Sequence, residues 1–318
     1  MHLRRRNFII RLGVGLTVVG SLVVAISAFM TGTAGRSTNV AVAPSFSPPA
    51  EILPGADVVL AVGDIAVCGE ANDELTGRLV ESLPGTILTL GDQAYESGAE
   101  DEFEECFDPS WGSVKKRIRP VLGNHDDATA AGGPYYEYFG DAAGTAGLGW
   151  YSFEVGDWHI IALNSNCAAD RCDAGSPQGE WLEADLAQHR NKCTLAFWHQ
   201  PRWSSGEHGS DPAVGDLWKM LYDAGVEAVL SGHDHDYERF AAMDSNGSAD
   251  PERGIRQFVV GTGGRSLDPF GPVQPNSEAR SNVSYGVLRL ALQGDRYDWE
   301  FIPSTAGGYT DAGSGACH

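Results

Sequence analysis

The chain has 318 residues, of which 42% are apolar and 20% charged, so it carries enough apolar residues for a large buried core. This composition excludes a disordered or collagen-like chain. With 43 acidic against 22 basic residues, the net charge is −21, which excludes a basic face for binding nucleic acid.

The first element along the chain is a targeting segment, predicted over residues 1–35. Its arginines precede the apolar stretch Leu12–Met30, and Arg5-Arg6-Asn7-Phe8 resembles a twin-arginine export signal. We therefore expect a secreted or extracytoplasmic protein. An uncleaved membrane anchor is the alternative, because the stretch is long enough to span a bilayer. Residues 36–55 are rich in Pro, Ser and Ala and predict a flexible linker, followed by one folded domain over 56–318.

The folded domain alternates apolar runs with amphipathic segments, a pattern typical of βαβ units and an α/β fold. Helices are predicted over 73–83, 178–189 and 211–224. Strands are predicted over 57–62, 86–90, 118–122, 159–163, 194–198, 226–230, 257–260 and 285–292. A last strand over 297–302 is predicted to form an edge of its sheet.

Polar side chains follow five of these strands at the point where each strand ends. They are Asp64, Asp92, Asn124, His199 and the pair His233 and His235. Ligands collect beyond the carboxyl ends of strands in open α/β sheets, and the neighbouring glycines allow tight turns there. We therefore expect these side chains to meet at one site.

These residue types, together with Tyr95, indicate a metal centre. Carboxylate, phenol, amide and imidazole groups are the ligands expected for Fe, Zn or Mn. Two such ions side by side can clamp a phosphate and activate water. Asp92 lies in the middle of the ligand order and is the natural bridge between the two ions.

The segments that carry these residues resemble the metallophosphoesterase (calcineurin-like) superfamily. They are Gly63-Asp64-Ile65-Ala66, Gly91-Asp92-Gln93-Ala94-Tyr95, Gly123-Asn124-His125-Asp126, Phe197-Trp198-His199 and Gly232-His233-Asp234-His235. Most members carry a metal-binding histidine where Ala66 stands. The purple acid phosphatase branch uses instead a tyrosine three residues after the bridging aspartate, which is the position of Tyr95.

The resemblance implies a sandwich of two mixed β-sheets flanked by helices in four layers. It also implies the compact, exported bacterial form, because the first motif arrives at Asp64 and leaves no room for an added N-terminal β domain. The resemblance assigns Asp64, Asp92, Tyr95 and His235 to a first metal, expected to be Fe(III). It assigns Asp92, Asn124, His199 and His233 to a second metal, expected to be Fe, Zn or Mn.

Two further histidines are implied to take part in catalysis. His125 follows Asn124 directly, and His208 lies in the loop after His199, where the branch has a general acid or substrate contact. An imidazole suits either role, because it gains and loses its proton near neutral pH.

The function implied is hydrolysis of phosphate monoesters, with a metal-bound hydroxide attacking phosphorus. A phosphodiesterase or nucleotide hydrolase on the same centre is the alternative, and a non-catalytic surface binding protein is a third hypothesis. The expected partner is a small phosphorylated substrate, with a membrane involved only if the N-terminal segment stays uncleaved. No oligomeric state follows from the sequence.

The six cysteines all follow the targeting segment, and in an exported protein their even number indicates up to three disulfides. Many pairings are possible, and the sequence leaves the choice open. The working prediction is Cys68–Cys106, Cys167–Cys172 and Cys193–Cys317.

Overall fold

The computed structural model describes residue 52 and residues 54–167, 172–190 and 192–318. The predicted targeting segment over 1–35, and the predicted linker apart from residues 52, 54 and 55, lie outside the described residues. Within the described part of the chain, no helix combines the length and apolar character needed to cross a membrane.

Two mixed β-sheets and one short ribbon make up the strand layers. The first sheet has the strand order β15-β14-β13-β1-β3-β5 and the second β12-β10-β11-β9-β8-β7-β6, while β2 pairs with β4. The strands are β1 (Asp57–Val62), β2 (Ala66–Val67), β3 (Thr86–Thr89), β4 (Ala94–Tyr95), β5 (Ile118–Pro120), β6 (Tyr151–Val155), β7 (Trp158–Ala162), β8 (Thr194–Phe197), β9 (Ala228–Ser231), β10 (Tyr237–Met243), β11 (Ile255–Val260), β12 (Ser277–Ser281), β13 (Gly286–Leu292), β14 (Arg296–Pro303) and β15 (Asp311–Ala316).

Helices flank the two sheets. The α-helices are α1 (Asn72–Ser82), α2 (Glu100–Glu102), α3 (Asp108–Trp111), α4 (Asn124–Ala128), α5 (Gly133–Phe139), α6 (Pro177–Gln188) and α7 (Gly215–Ala224). A π-helix spans Phe103–Phe107, and 3₁₀ turns span Gly112–Arg117, Ala130–Gly132, Gly140–Ala143 and Pro212–Val214. The predicted α/β sandwich of two mixed sheets flanked by helices is therefore confirmed.

The side-chain alternation of the central strands explains the layers. In β7, Ile160 belongs to the core between the two sheets, whereas its neighbour Ile161 packs in the outer core. Leu182 of α6 and Leu221 of α7 belong to that same outer core. Successive side chains of a strand point to opposite faces, so a continuous apolar run buries both faces of the sheet.

The strand predicted over 297–302 is present as β14, but its predicted position at the edge of the sheet is wrong. The segment predicted over 297–302 is not an edge strand, because β15 pairs antiparallel with β14 and covers it. β15 has the sequence DAGSGA and alternates half-buried and exposed residues. A run of small and polar residues like this lacks the apolar pattern by which a strand is predicted.

The three disulfides are Cys68–Cys106, Cys167–Cys172 and Cys193–Cys317, as predicted. No free cysteine occurs among the described residues. The third bond joins residues 124 positions apart and ties the carboxyl-terminal end of the chain to the start of β8. It therefore links the first sheet, which contains β15, to the second.

Candidate metal centre

Strands from both sheets deliver the predicted ligands to one place. Parallel strands β1, β3 and β5 of the first sheet end just before Asp64, Asp92 and Asn124. Parallel strands β8 and β9 of the second sheet end just before His199 and His233. The carboxyl ends of the two parallel sets therefore face the same site, which is the usual position of a ligand in α/β folds.

Two glycines are required by the close approach of these loops. A Cβ atom on Gly123 would lie 1.9 Å from Oδ1 of Asp92, and one on Gly91 would lie 2.4 Å from Nδ1 of His199. Neither contact is possible for another residue. Glycine at these two points allows the backbone of one loop to touch a ligand of the next.

The backbone is strained at three of the candidate ligands. Asp64, Asp92 and His233 have positive φ values of 61°, 50° and 72°, a region that non-glycine residues rarely occupy. Such strain costs free energy and persists where the surrounding structure holds it, which is common at functional sites.

Four of the candidate ligands form one cluster. The phenol oxygen of Tyr95 donates to Oδ1 of Asp64 at 2.8 Å and lies 3.1 Å from Oδ2 of Asp92. It also lies 3.3 Å from Nε2 of His235, and that nitrogen is 3.6 Å from Oδ1 of Asp64. These four side chains are the set that the resemblance assigned to the first metal.

The other candidate ligands form a second cluster that shares Asp92. Nε2 of His199 lies 3.2 Å from Oδ2 of Asp92 and 3.1 Å from Oδ1 of Asn124. The same nitrogen is 3.2 Å from Nδ1 of His233. Oδ2 of Asp92 therefore faces Tyr95 on one side and His199 on the other, which is the position of a bridging ligand.

The burial of two neighbouring carboxyl groups favours a cation at this site. Burial raises the pKa of Asp64 to about 8, against the opposing effect of His199. Burial also opposes ionisation of Asp92, but His199 and His125 hold the pKa of that carboxyl well below its usual range. The ion pairs of these two carboxylates are with histidines, and none is with an Arg or Lys among the described residues. Ionising both buried carboxyl groups together requires positive charge nearby, which bound metal ions would supply.

Two of the histidines are neutral and therefore free to offer a lone pair. Burial lowers the pKa of His233 to about 2 and that of His235 to about 4. By contrast, Asp92 and Asp64 raise the pKa of His199 to about 9, although burial opposes this. A cation would displace that proton, since metal ligands bind in their deprotonated form.

Hydrogen bonds on the far side of the rings orient two of the histidines. Nδ1 of His199 donates to the carbonyl of Leu90 at 2.8 Å. Nδ1 of His235 lies 2.9 Å from Oδ2 of Asp268 and 3.1 Å from the carbonyl of Ser266. Both contacts leave Nε2 of the ring facing the site, which is the arrangement usual for metal-binding histidines.

The two histidines predicted to be catalytic lie at the mouth of the site. Nδ1 of His125 donates to the carbonyl of Glu96 at 2.6 Å, and its backbone N–H donates to Oδ1 of Asp92 at 2.9 Å. The exposed ring of His208 lies against His233, with ring centres 4.6 Å apart, and the backbone N–H of His208 donates to Asp234.

Residues that sequence reasoning did not select complete the site. A cavity of about 220 Å³ is lined by Arg265, Ser266 and Asp268 together with seven of the nine predicted site residues. Those seven are Asp92, Tyr95, Asn124, His125, His208, His233 and His235, while Asp64 and His199 lie buried beneath them. The glycine-rich run Gly261-Thr262-Gly263-Gly264 precedes these three residues and predicts a tight turn. It is the one sequence pattern that could have directed attention to this segment.

A buried carboxylate joins two of the ligand loops. Asp126 accepts the backbone N–H of Gln93 at 3.0 Å and that of Gly123 at 2.9 Å. It therefore fixes the loop of Asp92 against the loop of Asn124.

Comparison with known proteins identifies the segment that contains most of these residues. Residues 52–237 match the calcineurin-like phosphoesterase family. Purple acid phosphatase 15 of Arabidopsis thaliana is 26% identical over 243 residues, covering 65% of this chain and 44% of that protein. Acid phosphatase type 7 of Danio rerio is 28% identical over 271 residues, covering 70% of this chain and 60% of that protein.

Solved structures share the fold. The purple acid phosphatase PPD1 from yellow lupin (Lupinus luteus) seeds superposes with a TM-score of 0.70 at 18% identity, over 81% of this chain and 53% of that one. GAP50, the anchor in the inner membrane complex of Plasmodium, superposes with a TM-score of 0.62 at 17% identity, over 80% of this chain and 87% of that one. The chain spans about half or less of the length of the first curated relatives it matches.

Proposed function

The chain belongs to the calcineurin-like phosphoesterase family, in its purple acid phosphatase-like branch, and from this we propose that it hydrolyses phosphate monoesters. The observation that carries this proposal is the position of Tyr95. Its phenol oxygen lies within 3.1 Å of both Asp64 and Asp92. The first motif has Ala66 in place of a histidine, so Tyr95 of the second motif takes the position of the missing ligand.

The donor set fits two metal ions. Asp64, Asp92, Tyr95 and His235 would hold the first, which the phenol favours as Fe(III), since a hard trivalent ion ionises a phenol most readily. Asp92, Asn124, His199 and His233 would hold the second, a divalent Fe, Zn or Mn ion. When bound, the two ions supply Lewis-acid chemistry, polarising the phosphate and lowering the pKa of water.

A histidine side chain of the protein then donates a proton to the leaving group. Hydrolysis forms a bond from a water oxygen to phosphorus and breaks the bond from phosphorus to the alkoxide. An imidazole N–H of His208 or His125 gives a proton to that alkoxide, which leaves as an alcohol. Both rings line the cavity, and His208 is exposed enough to reach a substrate there.

Small phosphorylated molecules are the partners that suit this site. The cavity holds about 220 Å³, which is a small volume for a ligand pocket. The net charge of −21 opposes association with a nucleic acid chain. These two observations support a small monoester as the substrate.

An extracytoplasmic location is supported by the three disulfides. Such bonds form and persist outside the reducing cytoplasm. We propose export through the twin-arginine pathway with cleavage of the targeting segment, and N-terminal sequencing of the protein recovered from the medium would test it. A chain that starts at Met1 and stays in the membrane fraction would show an uncleaved anchor instead.

The proposed activity is tested with two chromogenic substrates. We expect the purified protein to hydrolyse p-nitrophenyl phosphate with a higher kcat/KM than bis(p-nitrophenyl) phosphate. Asp92→Ala removes the carboxylate shared by both clusters and should lose bound metal and activity together. Full activity in that variant would overturn the site assignment. Preference for the diester would favour the phosphodiesterase alternative, and no hydrolysis after loading with iron or zinc would favour a binding protein.

A further inference from the structure

We propose that Arg265 binds the phosphate group of the substrate and makes the site favour monoesters over diesters. This inference rests on the proposed phosphatase function and names a residue that determines its specificity. Arg265 is the one Arg or Lys among the described residues that line the 220 Å³ cavity. A guanidinium there would oppose the repulsion of phosphate by the carboxylates of Asp92 and Asp268, which line the same cavity.

The backbone of Arg265 is fixed to the metal centre. Its N–H donates to the carbonyl of Asp64 at 3.0 Å, and two residues earlier the N–H of Gly263 donates to the carbonyl of Gly63 at 2.9 Å. The guanidinium carbon lies 4.9 Å from the centre of the Tyr95 ring. The guanidinium therefore lies beside Tyr95, on a segment that follows β11 in the second sheet and is bonded to the backbone of Asp64.

The carboxylate of Glu96 already binds the guanidinium of Arg265 in the way that a phosphate would. Nη1 of Arg265 lies 2.5 Å from Oε1 of Glu96, and Nη2 lies 3.3 Å from Oε2. Carboxylate and phosphate oxygens accept the same pair of parallel N–H bonds from a guanidinium. Glu96 therefore acts as an internal competitor for the anion-binding face of Arg265.

The ion pair is weak enough to be replaced. The side chain of Glu96 is 62% exposed and that of Arg265 is 26% exposed, and ion pairs so open to water contribute little to stability. Only the side chain of Glu96 needs to move, because its backbone N–H donates to Oε1 of Glu102 and its carbonyl accepts from His125.

The charge of the substrate explains the expected specificity. A phosphate monoester carries a second ionisable oxygen and approaches a double negative charge near neutral pH, whereas a diester carries a single charge. A guanidinium beside the metal centre therefore binds a monoester more tightly than a diester.

Arg265→Gln and Glu96→Gln test the inference in opposite directions. We expect Arg265→Gln to raise KM for p-nitrophenyl phosphate about tenfold, the effect of losing one charged hydrogen-bond pair, with a smaller change in kcat. KM for bis(p-nitrophenyl) phosphate should change less, so the monoester preference falls. Glu96→Gln should lower KM for the monoester, because the guanidinium is no longer occupied.

The dissociation constant of inorganic phosphate, measured by calorimetry on the same metal-loaded proteins, gives a readout that needs no turnover. We expect it to rise in Arg265→Gln and to fall in Glu96→Gln. Arg296→Gln is the matched control, because it removes the same charge from an ion pair with Asp298 on β14. It should change neither the dissociation constant of phosphate nor KM for the monoester.

The outcomes separate the two proposals. A wild-type protein that hydrolyses monoesters, with Arg265→Gln unchanged in both phosphate affinity and monoester preference, would overturn the role of Arg265 alone. Equal losses in Arg265→Gln and Arg296→Gln would also overturn it, since they would reflect net charge. A wild-type protein with no hydrolysis would refute the proposed function, and the phosphate titrations would still decide whether Arg265 binds the anion.

Discussion

The phenol oxygen of Tyr95 donates a hydrogen bond of 2.8 Å to Oδ1 of Asp64, although 31 positions separate the two residues in the chain. Both side chains are almost fully buried. Burial, together with the charges of Asp64 and Asp92, holds the pKa of this phenol well above its usual range. A phenolate can therefore exist here only beside a strongly charged cation, which is why Tyr95 is the most informative of the candidate ligands.

His208 should affect turnover and leave metal binding intact. Its exposed ring touches His233, and we expect His208→Gln to lower kcat about a hundredfold through loss of the proton donor. Metal content, measured by mass spectrometry of the purified variant, should match that of the wild type. Glu207→Gln, a change at the exposed neighbour, is the control and should keep full kcat.

The competing role for His208 is that of a metal ligand, because His208, His235 and Asp268 bring ligand atoms within 4.8 Å of one another. If His208→Gln lost metal in proportion to activity, His208 would be a ligand and its role as proton donor would be refuted.

Asp268 should strengthen metal retention without being a ligand. Its Oδ2 lies 2.9 Å from Nδ1 of His235 and holds the ring with Nε2 toward Tyr95 and Asp64. We expect Asp268→Ala to weaken metal affinity about tenfold, which is typical of losing a partner behind a ligand. The rate of metal loss to a chelator measures this.

Ser266→Ala is the matched control for Asp268, because the carbonyl of Ser266, which accepts from the same nitrogen of His235, stays in place. Equal rates of metal loss in Asp268→Ala and the wild type would show that this carbonyl alone orients the ring.

A histidine far from the metal centre should make stability depend on pH. His159 is 1% exposed, with Nε2 lying 2.6 Å from Asp185 and Nδ1 lying 3.0 Å from Glu154. Burial alone would lower its pKa, but these two carboxylates raise it above 6.5. Among the described residues, His189 stacks on the ring of His159 and Lys192 pairs with Glu154, and these are the other titratable groups that contact the cluster.

The sign follows from the raised pKa of His159. Its contribution to stability is fully present below the unfolded-state value of 6.5 and is lost as pH rises through the higher folded-state value. The lowered pKa values of Asp185 and Glu154 add stability that is lost only in acid. We expect the difference in unfolding free energy between wild type and His159→Gln, measured in urea, to shrink as pH rises above 6.5. A difference that is constant from pH 6 to 9 would contradict the assigned charge state.

The candidate ligands could be brought together from the sequence because each follows an apolar run, most of them after a glycine, or lies two or three residues beyond such a point. That local pattern places Asp64, Asp92 and Asn124 at the ends of β1, β3 and β5, and the structure has the strands close to the predicted bounds. A residue's position at a strand end is a local property, so the site could be predicted from several short segments taken separately.

Arg265 and Asp268 could not be predicted in the same way. Their place in the site depends on the loop after β11 bonding to the loop after β1, through Gly263 and Gly63. The glycine-rich run before Arg265 predicts a turn but does not show which loop the turn contacts, because the relative arrangement of the two sheets creates that contact. β15 was missed for a related reason, since its pairing with β14 is set by tertiary structure and not by apolar periodicity.

The measurement that tests the central claim most directly is metal analysis together with the visible spectrum of the wild type and Tyr95→Phe. We expect two metal ions per chain, at least one of them iron, and a visible absorption band that disappears in Tyr95→Phe. The variant should still fold, because the phenol oxygen is the only atom removed. A colourless protein that carries two zinc or two manganese ions, unchanged by Tyr95→Phe, would contradict the assignment of Tyr95 as a metal ligand.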